Sequence, residues 1–141
     1  MKTLLASCLA LLILLSAPAH AQNTQSFGDY QVYYNAFPSG ILQPEMAQNY
    51  GVFRSRTRGV LMISVHEDNK PITARIRIDA SDAGGGDVPV ELRRLRSGNT
   101  YSYLGTFPIE NEKRVRFRLE IIPEGSSDIL HVAFSRTFHV D

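Results

Sequence analysis

Arginine is the residue whose type and spacing in this chain point most directly to chemistry. Arg54, Arg56 and Arg58 alternate in one segment, Arg75 and Arg77 in a second, and Arg114, Arg116 and Arg118 in a third, while Arg93, Arg94 and Arg96 cluster at the end of the strand expected over 88 to 92. A guanidinium presents five N–H donors in a planar fork that matches carboxylate and phosphate oxygens two at a time, so such rows suit an anion-binding face. The competing reading is a solvated outer sheet face, with acids such as Asp79 and Glu120 set among the bases. Arg136 stands apart. It falls in phase with Leu130, Val132, Phe134, Phe138 and Val140, which places it at the rim of the core or at a bulge, beside a carboxylate.

Signals for other chemistry are weaker. A Gly-x-Ser-x-Gly nucleophile turn is missing, and His66, His131 and His139 include no pair spaced i, i+4 as a helical zinc site requires. The loop Asp79–Asp87 is acidic and glycine-rich, but it lacks the one-three-five ladder of carboxylates and the closing glutamate of a calcium loop. The sequence therefore implies no catalytic residues, no metal ligands and no cofactor.

The elements that must carry these residues follow a period of two. Residues 60 to 66 are almost continuously apolar, as in a strand covered on both faces. Residues 72 to 80 alternate, with Ile72, Ala74, Ile76, Ile78 and Ala80 on one face. Residues 114 to 122 do the same with Val115, Phe117, Leu119 and Ile121 inward. Further strands are expected over 29 to 37, over 88 to 92 as an edge strand because of Pro89, over 100 to 107 after a tight turn at Ser97-Gly98-Asn99, and over 129 to 140. One segment departs from this period. Pro44–Tyr50, with proline in the first turn, Glu45 near the positive end of the dipole and Gly51 just past the stop, reads as a short helix. It sits inside a connection of about twenty residues, a length that in compact domains often covers an edge or carries a site. The expected fold is all-β: an immunoglobulin-like antiparallel β-sandwich of about seven strands with one short helix in the first long connection, a small barrel being the other closure. Within it, the strands at 72 to 80 and 114 to 122 would be neighbours, bringing Arg75, Arg77, Arg114, Arg116 and Arg118 onto one outer face.

Residues 1 to 21 read as an address. Lys2 supplies a positive start, Leu4 to Leu15 carries no charge, and Ala19-His20-Ala21 offers small residues at the cleavage positions, the pattern of a cleavable signal peptide. The expected product is an exported, periplasmic or secreted single domain over residues 22 to 141 that does not span a membrane. The single cysteine, Cys8, lies within the signal, so no disulfide is expected. Of the 15 basic and 14 acidic side chains only Lys2 lies in that segment, so the remainder is balanced. That balance disfavours a nucleic-acid partner.

Tyr34-Asn35-Ala36-Phe37, Leu42-Gln43-Pro44-Glu45, Tyr50-Gly51, Arg54-Ser55, Arg58-Gly59, Ile63-Ser64-Val65 and the terminal Phe138-His139-Val140-Asp141 together resemble a proteobacterial family of exported proteins, domain of unknown function 4426. The resemblance runs over nearly all of the chain after the signal. It implies a periplasmic, single-domain, immunoglobulin-like sandwich and supplies no activity or cofactor. Asn35, Glu45, Tyr50, Arg54 and Arg58 put amide, carboxylate, phenol and guanidinium groups near one sandwich end, where they form a candidate recognition patch. Architecture offers another reading of three of them: Asn35 capping a turn, Glu45 at the helix start, Tyr50 packed beneath. The expected function is a non-catalytic binding or adaptor module for another envelope protein. Binding of an anion or acidic glycan through the arginine faces is the alternative, and an unrecognised hydrolase is a third.

Overall fold

The computed structural model describes residues 23–140, so the proposed signal peptide and Cys8 lie outside the described residues. Nine strands form two antiparallel sheets. They are β1 (Asn23–Phe27), β2 (Tyr30–Pro38), β3 (Arg58–Glu67), β4 (Lys70–Ile72), β5 (Ala74–Asp82), β6 (Glu91–Ser97), β7 (Thr100–Pro108), β8 (Lys113–Pro123) and β9 (Leu130–Phe138). The first sheet has the order β1-β2-β3-β7-β6, with β4 also paired to β3, and the second has the order β5-β8-β9. Leaving out β1 and β4, this is the four-plus-three strand order of an immunoglobulin constant-type sandwich. The sheets do not close into a barrel.

Two strands exceed the seven expected. β1 is polar and exposed over most of its length, so no hydrophobic alternation announces it; it is held by pairing Asn23 through Phe27 with Tyr34 through Tyr30. The other arises at Thr73, where the run expected as one strand divides. Lys70–Ile72 pairs with β3, and from Ala74 onward the same chain pairs with β8 in the opposite sheet. The Ala74 N–H freed at this crossing donates to the Tyr103 hydroxyl at 2.8 Å. The expected edge strand over 88 to 92 starts later, at Glu91, so Arg93, Arg94 and Arg96 lie within β6 and not at its end.

Alternation builds the core. Leu61, Ile63 and Val65 of β3 meet Phe117, Leu119 and Ile121 of β8, all buried, and each such side chain contributes about 1.5–3 kcal/mol by leaving water. A run of rings crosses this interior: Tyr34 to Phe134 at 4.6 Å, Phe134 to Phe117 at 4.9 Å, Phe117 to Phe107 at 5.1 Å and Phe107 to Phe138 at 5.5 Å between centroids.

The first sheet is also covered on its outer face, which is why β3 reads as continuously apolar. The connection between β2 and β3 holds a 3-10 turn (Ser39–Ile41) and helix α1 (Pro44–Tyr50). Tyr50 and Val52 pack with Val60, Leu104, Met62 and Leu95, and Ala47, three residues before Tyr50 and so on the same side of the helix, is buried. Gly51 ends the helix at φ 65°. Its N–H reaches the Gln48 carbonyl at 3.0 Å and the Val52 N–H reaches that of Ala47 at 2.8 Å, the paired bonds of a left-handed helix stop.

Candidate functional site

The chain leaving β2 is fixed by one buried hydroxyl. Ser39 Oγ accepts from the Ser55 N–H at 2.9 Å and donates to the Ser55 carbonyl at 3.1 Å, closing the excursion at its base. With Ser55 held inward, Arg54 and Arg56 project to the exposed side. Arg54 Nη2 donates to the Gly40 carbonyl at 3.2 Å. Across from them the chain beyond β9 is held by the Val140 N–H on Asn111 Oδ1 at 2.9 Å. Between these walls lies a cleft of about 510 Å³ whose lining includes Pro38, Ile41, Arg54, Arg56, His139 and Val140, with no acidic side chain among its described residues.

A turn at Arg56-Thr57 ends the alternation seen in the sequence. Arg58 therefore opens β3 on another side, where it lines a separate groove with Glu91 and Thr106. The five candidates of the recognition patch consequently disperse. Asn35 does not cap a turn: it lies within β2, and its Oδ1 accepts from Arg136 Nη1 at 3.0 Å. Arg136 thus has an amide as its partner where a carboxylate was expected. Glu45 is exposed in the first turn of α1, and Tyr50 packs on the outer face of the first sheet. Of the five, only Arg54 lines the cleft. Sequence reasoning missed Arg56 and His139 as companions of Arg54, although both were in view, one in an arginine row and the other in the terminal Phe138–Asp141 run.

The second arginine constellation does assemble on the outer face of the second sheet, with Arg75, Arg77, Arg114, Arg116 and Arg118 all exposed. Register tempers it. Arg77 stands opposite Glu120 and Arg118 opposite Asp79, while Arg116 lies between Ser81 and Ser135 and Arg114 faces Thr137. No arginine of this face stands directly across from another, and opposed charges stabilise such a ladder. In the acidic loop, Asp82 Oδ1 is engaged by the N–H groups of Gly84 at 2.9 Å and Gly86 at 2.8 Å, and the described residues contain no cluster of three or more metal-binding side chains.

Large apolar side chains are exposed chiefly on the same excursion. Phe53 is 81% accessible, Ile41 67% and Met46 45%, and among the described residues the other of this kind is Ile129 at 49%. No helix among the described residues is long and apolar enough to cross a membrane.

A family model described as "Domain of unknown function (DUF4426)" matches residues 24–141. Among solved structures, a DUF4426 family protein from Pseudomonas aeruginosa PAO1 is 31% identical, with a TM-score of 0.74 over 85% of this chain and 96% of that one. FetP of uropathogenic Escherichia coli strain F11, recombinantly expressed in the periplasm, is 7% identical, with a TM-score of 0.53 over 84% of this chain and 94% of its own, a likeness of fold alone. No curated protein matches the chain in sequence.

Proposed function

This chain belongs to the DUF4426 family, and we propose that it is an exported, periplasmic, non-catalytic binding module that docks onto another envelope protein through the excursion between β2 and β3. The observation that carries the proposal is the concentration of exposed apolar side chains there. Ile41, Met46 and Phe53 lie within thirteen residues of chain beside the exposed Arg54 and Arg56. Single exposed apolar residues are ordinary, whereas three large ones along one short excursion, with arginines beside them in the chain, fit a segment that meets a protein partner. The surface is also ordered before any partner arrives, through the Ser39–Ser55 closure and the Gly51 helix stop, which limits the entropy lost on docking. The charge-complemented rows on β5 and β8 support a solvated outer face there over a second recognition surface.

The test is site-specific photocrosslinking in the periplasm of the native host, with the probe at position 53 and, as control, at Ser135 on the opposite face. A discrete adduct from position 53, lost when Ile41→Asp and Met46→Asp are introduced, is the expected result. Identical patterns from the two positions would remove the proposal.

A further inference from the structure

We propose that the cleft between the Ser39–Arg56 segment and the chain after β9 is a binding site for a small amphipathic organic anion: one carboxylate or phosphate headgroup on a short apolar body. Two cationic forks, Arg54 and Arg56, share the cleft with the His139 imidazole, which carries at least one N–H donor in either protonation state. Arg54 uses one of its donors on the Gly40 carbonyl, which orients the guanidinium and leaves further N–H groups for a ligand. Pro38, Ile41 and Val140 line the same space, so a bare inorganic ion would leave apolar wall in contact with water. The volume of about 510 Å³ falls within the range of small-molecule sites, about 300–1,000 Å³.

Both walls are fixed in advance. Ser39 holds one through two hydrogen bonds to the Ser55 backbone, and Asn111 holds the other through Val140. Because the chain after its signal is charge-balanced, the gathering of bases here is not a consequence of overall composition. The site goes beyond the docking surface proposed above and does not rest on it. Ile41, Arg54 and Arg56 belong to both, whereas Met46 and Phe53 take no part in the lining of the cleft.

The experiment is a titration of the isotope-labelled protein followed by amide chemical shifts, with sodium octanoate and octyl phosphate as the two headgroup probes, and octanol and inorganic phosphate as the half-ligands. The expected result is saturable shifts at Gly40, Ser55, His139 and Val140 with at least one octyl anion, the tighter of the two identifying the headgroup. Octanol, which loses the charge-assisted contacts, and inorganic phosphate, which loses the apolar burial, should each bind at least about tenfold more weakly. Arg56 is exposed and supplies none of the hydrogen bonds that close the excursion, so Arg56→Glu keeps the fold and should weaken the octyl anion by at least about tenfold, with Arg56→Lys in between. The proposal is overturned if neither octyl anion saturates, if octanol or phosphate alone binds as tightly, or if Arg56→Glu, with its dispersed spectrum retained, leaves the affinity unchanged. Phe53→Asp is expected to leave octyl-anion affinity intact, so failure here and failure of the docking surface are separately visible.

Discussion

Gly59→Ala is expected to destabilise the sandwich out of proportion to one added methyl group. Gly59 is the second residue of β3 and stands directly opposite Phe107 in β7. A Cβ there would lie 2.5 Å from both Cε2 and Cζ of Phe107 and 2.8 Å from Cγ2 of Ile109. The ring cannot swing clear, because it is held edge-on against Phe117 and tilted against Phe138. Overpacking of this kind costs about 1–3 kcal/mol, and disturbing two aromatic contacts adds about 0.5–1.5 kcal/mol each. Alanine offsets part of this, about 0.5–1 kcal/mol, by ordering more cheaply in a strand than glycine. The net is about 1–5.5 kcal/mol, centred near 3, which for a domain of this size lowers Tm by roughly 4–22 °C. Urea unfolding read by near-ultraviolet circular dichroism measures it, with Gly40→Ala as the control. Gly40 would place its Cβ no closer than 3.9 Å to any atom, so that variant should stay within about 0.5 kcal/mol of the parent. If Gly59→Ala is equally benign, the reasoning about this contact fails.

Two further substitutions probe the polar fixings of the excursion and of the sandwich rim. Ser39→Ala leaves the Ser55 N–H and carbonyl without their hydroxyl partner and should cost about 1–3 kcal/mol, with faster hydrogen exchange at the Ser55 amide and no change at the amides of β8. For the bond between Asn35 and Arg136, which links β2 to β9, a double-mutant cycle with Asn35→Ala and Arg136→Met should return a coupling of about 1–2 kcal/mol from urea midpoints. A coupling near zero would mean that the guanidinium is as well served by water.

Legibility in the sequence followed the range of the interaction. The bounds of α1 were readable because proline, the first-turn acid and the terminal glycine act within a few residues of one another. The neighbouring of β5 and β8 was readable from the expected immunoglobulin-like strand order, and their outward arginines from the two alternations. Which residues stand opposite was not. A two-residue slip would have set like charges face to face, Arg77 across from Arg118 or Asp79 across from Glu120, and only the assembled register puts Glu120 across from Arg77. The candidate patch failed to gather for a related reason. A turn at Arg56-Thr57 redirects Arg58, while His139 reaches Arg54 from the far end of the chain. Arg136 announced itself as a charge on the apolar face of its strand, yet its partner lies 101 positions away and is an amide, which no local pattern encodes.

The passage of the chain at Thr73 from one layer to the other has a mechanical consequence. With Lys70–Ile72 stitched into the first sheet and Ala74–Asp82 into the second, a single uninterrupted length of backbone belongs to both. The two layers cannot slide past each other or part without tearing one of these seams and pulling the Ala74 amide from the Tyr103 hydroxyl. Tension applied to either sheet is therefore passed to the other through covalent bonds.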